Sequence, residues 1–229
     1  RGAACSDPEP CAVVAGGAYF AERALRSADL MRVDAKLGGL DPLNVNELKK
    51  LADDADKRWE SPEFSERVEF VDAFLPGATE VEVSDGSYQT EWGYGAQCIR
   101  AADQSGYEIA LTNLARLERE FAGTVPSALC GARLEESRGH FTAARSRYEE
   151  LVARFPNLIA GHLGLVRLSV RTQNRALLSK SLDALQERSS DHPYLTLRGL
   201  AALDSTTLVR FDKPEILAEE AKAPEGDAK

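Results

Sequence analysis

From Val125 to Leu158 the apolar positions fall first along one helix and then, after a break, along a second. Phe141, Ala144, Tyr148 and Leu151 recur at steps of three and four, the stripe of an amphipathic helix. Ala128, Leu129, Ala132 and Leu134 give the preceding segment its apolar side, with Pro126 in a first turn, where a missing N–H is tolerated. Between the two, Gly139 can take the left-handed conformation that ends a helix without a Cβ clash. Phe155-Pro156-Asn157 closes the second segment, because proline cannot continue a helix and biases the residue before it to extended geometry. Two helices this short cannot bury both faces alone, so the pattern predicts neighbours of the same kind.

The neighbours appear at an offset of 34 residues. Moving back pairs Phe141 with Tyr107, Ala144 with Ala110, Tyr148 with Leu114, Leu151 with Leu117, Phe155 with Phe121 and Ala132 with Cys98. Moving forward pairs Tyr148 with Leu182, Leu151 with Leu185 and Ala132 with Val166, but Ala144 with Leu178 and Phe141 with Arg175, so the third copy is degenerate. Ala132, the Gly139 turn, Phe141, Ala144, Tyr148 and Pro156 together resemble the tetratricopeptide (TPR) repeat family. Ala128, Gly131 and Ala132 stand where that family's first helix carries a large aromatic residue and a Leu-Gly pair.

The resemblance implies an all-α, TPR-like helical-hairpin solenoid over residues 89–204, with copies at about 91–124, 125–158 and 159–192 and then a capping helix. It further implies that the first helix of each pair lines a concave face on which peptides or partner proteins dock. In this register that face carries Trp92, Ile99, Leu129, Arg133, Leu163, Arg167, Arg171 and Tyr194. Three arginines there suit a carboxylate or an acidic peptide; alternatively they are solvated or pair with Glu135, Glu136 or Asp103. Trp92 and Tyr194 read either as anchors at the two ends of a groove or as packed core.

Residues 1–88 read as an additional N-terminal helical region. A helix over Cys11–Val33 sets Phe20, Ala24, Ala28 and Met31 on one face, and Gly38-Gly39 breaks the pattern. Val45, Leu48, Leu51, Ala52, Ala55 and Trp59 mark a second helix, whose other face carries Asp53, Asp54 and Asp56. That cluster lacks the glycine and closing glutamate of a calcium loop and reads as a solvated face. Ser61-Pro62-Glu63 opens a third helix with Phe64, Val68, Val71 and Leu75 as its stripe. The alternation around Asp85-Gly86 fits a short β-hairpin or a plain loop. Near the other end, Leu195, Leu200 and Leu203 are expected to cap the stack, and residues 205–229 to form a flexible acidic tail.

Composition narrows the function. No apolar run approaches the roughly 20 residues of a membrane span, so no transmembrane segment is expected. A net charge of −9 argues against nucleic acid and against anionic lipid as partners. Cys5 and Cys11 suit a small disulfide loop, while Cys98 and Cys130, in the first helices of successive copies, are either joined or buried thiols. Ala3-Ala4-Cys5-Ser6 resembles the end of a bacterial lipoprotein signal, which would make Cys5 a lipid anchor and leave Cys11 unpaired. The chain begins at Arg1 rather than Met, as a processed or trimmed chain would. These features point to a periplasmic or extracytoplasmic location.

His140, His162 and His192 share no metal-ligand spacing, no nucleophile stands in a recognisable elbow, and Gly16-Gly17 lacks the lysine and hydroxyl of a phosphate loop. No metal, cofactor or catalytic role is therefore expected. The expectation is a non-catalytic protein–protein interaction module, an adaptor or assembly factor. The alternatives are a structural subunit of a larger, envelope-associated complex and a regulatory domain of a larger enzyme.

Overall fold

The computed structural model describes residues 8–43, 45–74 and 88–198. Among the described residues the chain is helical, with no strand. Its elements are α1 (Pro8–Leu37), α2 (Asn46–Trp59), α3 (Pro62–Asp72), α4 (Glu91–Asp103), α5 (Tyr107–Glu120), α6 (Val125–Ser137), α7 (Phe141–Arg154), α8 (Ile159–Arg171), α9 (Arg175–Gln186) and a closing 3-10 helix, Pro193–Leu197. The hairpin expected around Asp85-Gly86 lies outside the described residues, as do Cys5 with its expected pairing and lipid anchor, Leu200 and Leu203, and the tail from residue 205.

The 34-residue period holds in the backbone. The first helices start at 91, 125 and 159 and the second at 107, 141 and 175, so the third copy keeps the frame although its side chains drift. The turns explain this. Ser105, Gly139 and Gln173 all take a positive φ, at 63°, 77° and 55°. In each turn the next N–H reaches the carbonyl five residues back: Gly106 to Ala101 (2.7 Å), His140 to Glu135 (2.9 Å) and Asn174 to Ser169 (2.8 Å). This closure satisfies carbonyls that a helix end leaves bare. Glycine makes it without cost only at Gly139; Ser105 and Gln173 bear Cβ crowding there.

The helix starts repeat as well, with one substitution of means. The side chains of Thr90 and Thr124 accept the N–H groups of Trp92 (3.3 Å) and Ser127 (3.5 Å) and so cap α4 and α6. The third copy has Leu158 at that position and no side-chain cap. Its N–H at Ala160 donates instead to the carbonyl of Leu40, 2.8 Å away in the loop after α1. The same loop reaches the 3-10 helix, where His192 Nε2 lies 3.3 Å from Asp41 Oδ1. A segment more than a hundred residues upstream thus completes the last helix pair.

The pairs pack in series: α4 on α5 and α6, α6 on α7, α7 on α8, and α8 on α9. Ala110, Leu114 and Leu117 of α5, Ala144, Tyr148 and Leu151 of α7, and Leu178, Leu182 and Leu185 of α9 are buried at matching positions. The fully buried Tyr148 ring fills the space beside Gly164, where an added Cβ would stand 2.2 Å from it. Cys98 of α4 and Cys130 of α6 face each other at disulfide distance, with Cα atoms 5.9 Å apart.

On the N-terminal side α2 and α3 form a further hairpin, and α3 packs on α4. The buried Glu66 carboxylate accepts the N–H groups of Gln89 and Thr90, both at 2.7 Å, and the Thr90 hydroxyl at 2.6 Å, which fixes the entry to α4. Helix α1 runs beyond the expected Cys11–Val33, and the face that carries Phe20 and Met31 points away from the core. Phe20 and Met31 are 69% and 66% exposed, and the side turned inward carries Val33, Leu37 and part of Leu30. Ion pairs decide the rotation: Asp29 takes hydrogen bonds from Arg58 (2.7 Å) and Trp59 (2.9 Å), and Asp34 from Arg67 (2.7 Å). The cap also differs from expectation, since the chain enters it as a 3-10 helix with Tyr194 and Leu197 buried.

Gly164→Ala is expected to cost about 1–3 kcal/mol by forcing a methyl group into the immobile Tyr148 ring. Urea unfolding measures it, and an unchanged midpoint would show that α7 and α8 do not meet this closely.

A candidate binding face and its buried carboxylate

The eight positions expected on a concave face divide into two groups. Trp92, Ile99, Leu129, Leu163 and Tyr194 are all buried. Trp92 lies edge-on to Phe70 (5.0 Å between ring centroids) under the Arg67 guanidinium (5.5 Å), and Tyr194 stacks edge-on with His192 (5.4 Å). The two aromatic residues are packed core, the second of the two readings open to them. Helix α3 seated against α4 and the 3-10 helix seated against α9 put them there.

Arg133, Arg167 and Arg171 form the second group, and they meet on one buried group that sequence reasoning named only as a pairing candidate. Glu136, on α6, is 2% exposed. Its Oε1 and Oε2 take hydrogen bonds from Arg167 Nε (3.1 Å) and Nη2 (2.9 Å), a fork-on-fork contact between α6 and α8. The Tyr148 hydroxyl, from α7, donates to Oε2 at 2.7 Å and accepts from Arg167 Nη2 at 3.1 Å. Arg133 Nη1 approaches Oε2 at 3.4 Å, while its Nε and Nη2 grip Asp103 of α4 at 2.7 and 3.1 Å. Arg171 stands 3.8 Å from Oε1 and lies over the Phe141 ring at 5.4 Å.

Burial by itself would favour the neutral acid at Glu136. Arg167 and Arg133 outweigh it, helped by hydrogen bonds from Arg167 and Tyr148, and hold the carboxyl at about 2. Burial and the adjacent Glu136 charge push the Tyr148 hydroxyl up, so it stays a donor. Burial disfavours the Arg167 charge, yet Glu136 more than compensates and its pKa is raised. Three guanidinium groups thus meet two carboxylates, and one positive charge is left over. Arg171 carries it: 40% of its side chain is exposed, and its approach to Glu136, at 3.8 Å, is longer than a hydrogen bond. The local signal for Glu136 was its spacing of three from Arg133 on one helix, a pair that neighbours across a turn.

The arginines of a neighbouring cleft and two of the histidines make contacts within the chain. A cleft of about 240 Å³ between α5, α6 and α7 is edged by Glu118, Arg147 and Arg154. Arg147 pairs with Glu118 (3.2 Å) and Arg154 donates to the Gly123 carbonyl (2.9 Å). His140 contacts Glu135 (2.8 Å), and His162, whose pKa burial pushes down, contacts the Pro156 carbonyl (2.9 Å). Among the described residues no group of three or more His, Cys, Asp and Glu side chains is placed to hold a metal, and no helix is long and apolar enough to cross a membrane. Compared with known proteins, the chain matches no family model, no curated protein and no solved structure.

A depressed carboxyl stabilises the fold fully above its ordinary pKa of 4.5 and loses that contribution as pH falls through about 2. Glu136→Gln is therefore expected to cost about 3 kcal/mol at neutral pH. The gap between the two proteins should close as pH falls from 4.5 toward 2, as followed by urea unfolding across that range. A gap that is absent at pH 7, or that persists unchanged at pH 2, would contradict the burial of an ionised group.

Proposed function

We propose that the chain is a non-catalytic, TPR-like interaction module that grips an acidic side chain or terminal carboxylate of a partner protein on the face shared by α6 and α8. The observation that carries this reading is Arg171, a half-exposed guanidinium held over Phe141 beside a cluster with one positive charge in excess. A preorganised guanidinium of this kind suits a carboxylate, because its planar fork loses little freedom on binding and its charge is already partly desolvated. The three helix pairs, whose starts repeat at 34 residues and which pack in series, support the repeat-family resemblance behind it. Arg133 and Arg167 play a supporting part, since their donors are committed to Asp103 and Glu136. In this reading the Cys98–Cys130 pair fits an oxidising, extracytoplasmic location.

The second reading, a structural subunit of a larger complex, is favoured by a different observation, the apolar stripe that α1 presents to solvent.

Arg171→Glu separates the two. Its guanidinium stands 3.8 Å from Glu136, while Arg167 and Tyr148 hold that carboxylate at 2.9 and 2.7 Å, so the variant should keep the wild-type helical circular dichroism. In pull-downs from the native source it should lose the partners that wild-type protein retains, while Arg171→Lys keeps part of the binding. Partners captured equally by wild type and Arg171→Glu would remove this face from the binding function.

A further inference from the structure

Four of the seven exposed large apolar side chains among the described residues, Tyr19, Phe20, Leu25 and Met31, belong to α1. Every residue from Tyr19 to Leu25 is exposed. The helix is nevertheless held firmly on its other side, by Leu30, Val33 and Leu37 and by three links to α2 and α3: Arg26–Glu63 (2.5 Å), Asp29–Arg58 (2.7 Å) and Asp34–Arg67 (2.7 Å). The half of the exposed face from Arg26 onward is therefore fixed in orientation.

Along that face Phe20, Ala24, Ser27 and Met31 follow at steps of four, three and four, with Ala28 beside them. This is the spacing that keeps one seam of a helix against a second helix. The order is also a palindrome: large, small, small, large. Turned about a two-fold axis between Leu25 and Arg26, the stripe meets its own copy with Phe20 opposite Met31 and Ala24 opposite Ser27. The thioether then lies against an aromatic ring, and the small residues allow close approach of the two helices. A surface that complements itself in this way satisfies the requirement of an isologous contact, in which each residue pair occurs twice. Antiparallel pairing also sets the segment Tyr19–Leu25, exposed throughout, against the anchored half of its partner.

We propose that this stripe is a homodimer interface, and that a second copy of the chain covers it through antiparallel pairing of α1. The seam from Phe20 to Met31 spans about 18 Å of helix, a short contact of the kind that weak, transient interfaces use. The dimer is therefore a reversible one.

Sedimentation of the full chain over concentrations from about 1 to 100 µM tests this, since association follows mass action. Wild type should pass from monomer to dimer, and Phe20→Lys and Met31→Glu, each alone, should weaken the dimer at least tenfold. Ile109→Glu, at an exposed apolar site away from α1, should leave it intact. Mixing the Phe20→Lys and Met31→Glu chains should restore association, because only the antiparallel register brings the new lysine opposite the new glutamate. A wild-type monomer throughout, as when another part of the chain covers the stripe, would overturn the proposal. So would a dimer that survives Phe20→Lys, or variants that fail to rescue each other.

Discussion

A carboxylate removed from water must have every lone pair answered and its charge balanced, or it takes up a proton. Glu136 meets that requirement only because four helices bring their groups to it. Its own helix α6 supplies Arg133, α7 supplies Tyr148, α8 supplies Arg167 and Arg171, and Asp103 of α4 steadies Arg133 from the far side. A shift of α8 by one turn would break the two-point contact between Arg167 and Glu136. The network therefore specifies how consecutive helix pairs dock, where apolar packing alone would accept neighbouring registers.

The repeat frame was legible because it is written in the residues that shape turns and fill interfaces. Gly139 and the stripe from Phe141 to Leu151 located one pair, and the 34-residue shift located the others, including a third copy that keeps few of the same side chains. That copy folds alike because its backbone does: Gln173 takes the left-handed turn that Gly139 takes, and the Leu40 carbonyl caps α8 in the absence of a threonine. The second device joins residues far apart in sequence, and no local pattern announces it.

What the sequence left unread follows from the same limitation. Periodicity tells which positions share a side of a helix, and says nothing about whether that side meets protein. Phe20, Ala24, Ala28 and Met31 do share a face of α1, but Asp29 and Asp34 turn the opposite side inward by pairing with α2 and α3. The groove register likewise could not see α3 packing on the helix of Trp92, or the 3-10 helix of Tyr194 packing on α9. Glu66 and Glu136, the two most deeply committed acids, look like surface residues in a pattern that scores charge as exposure. Only the three-residue spacing of Arg133 and Glu136 hinted at the second.

A face whose charges are mostly spent internally is a more selective surface than three free arginines would be. In the proposed function Arg133 and Arg167 serve to position and Arg171 is left to meet a partner, so binding rests on the integrity of the cluster beneath it. The most direct test of that cluster is a carbon-detected NMR titration of the Glu136 side-chain carboxyl. The predicted result is a midpoint near 2, with the resonance unmoved through the ordinary carboxylate range. A midpoint at the ordinary value of 4.5 would mean a hydrated glutamate, and would remove the interaction that sets the docking of α6, α7 and α8.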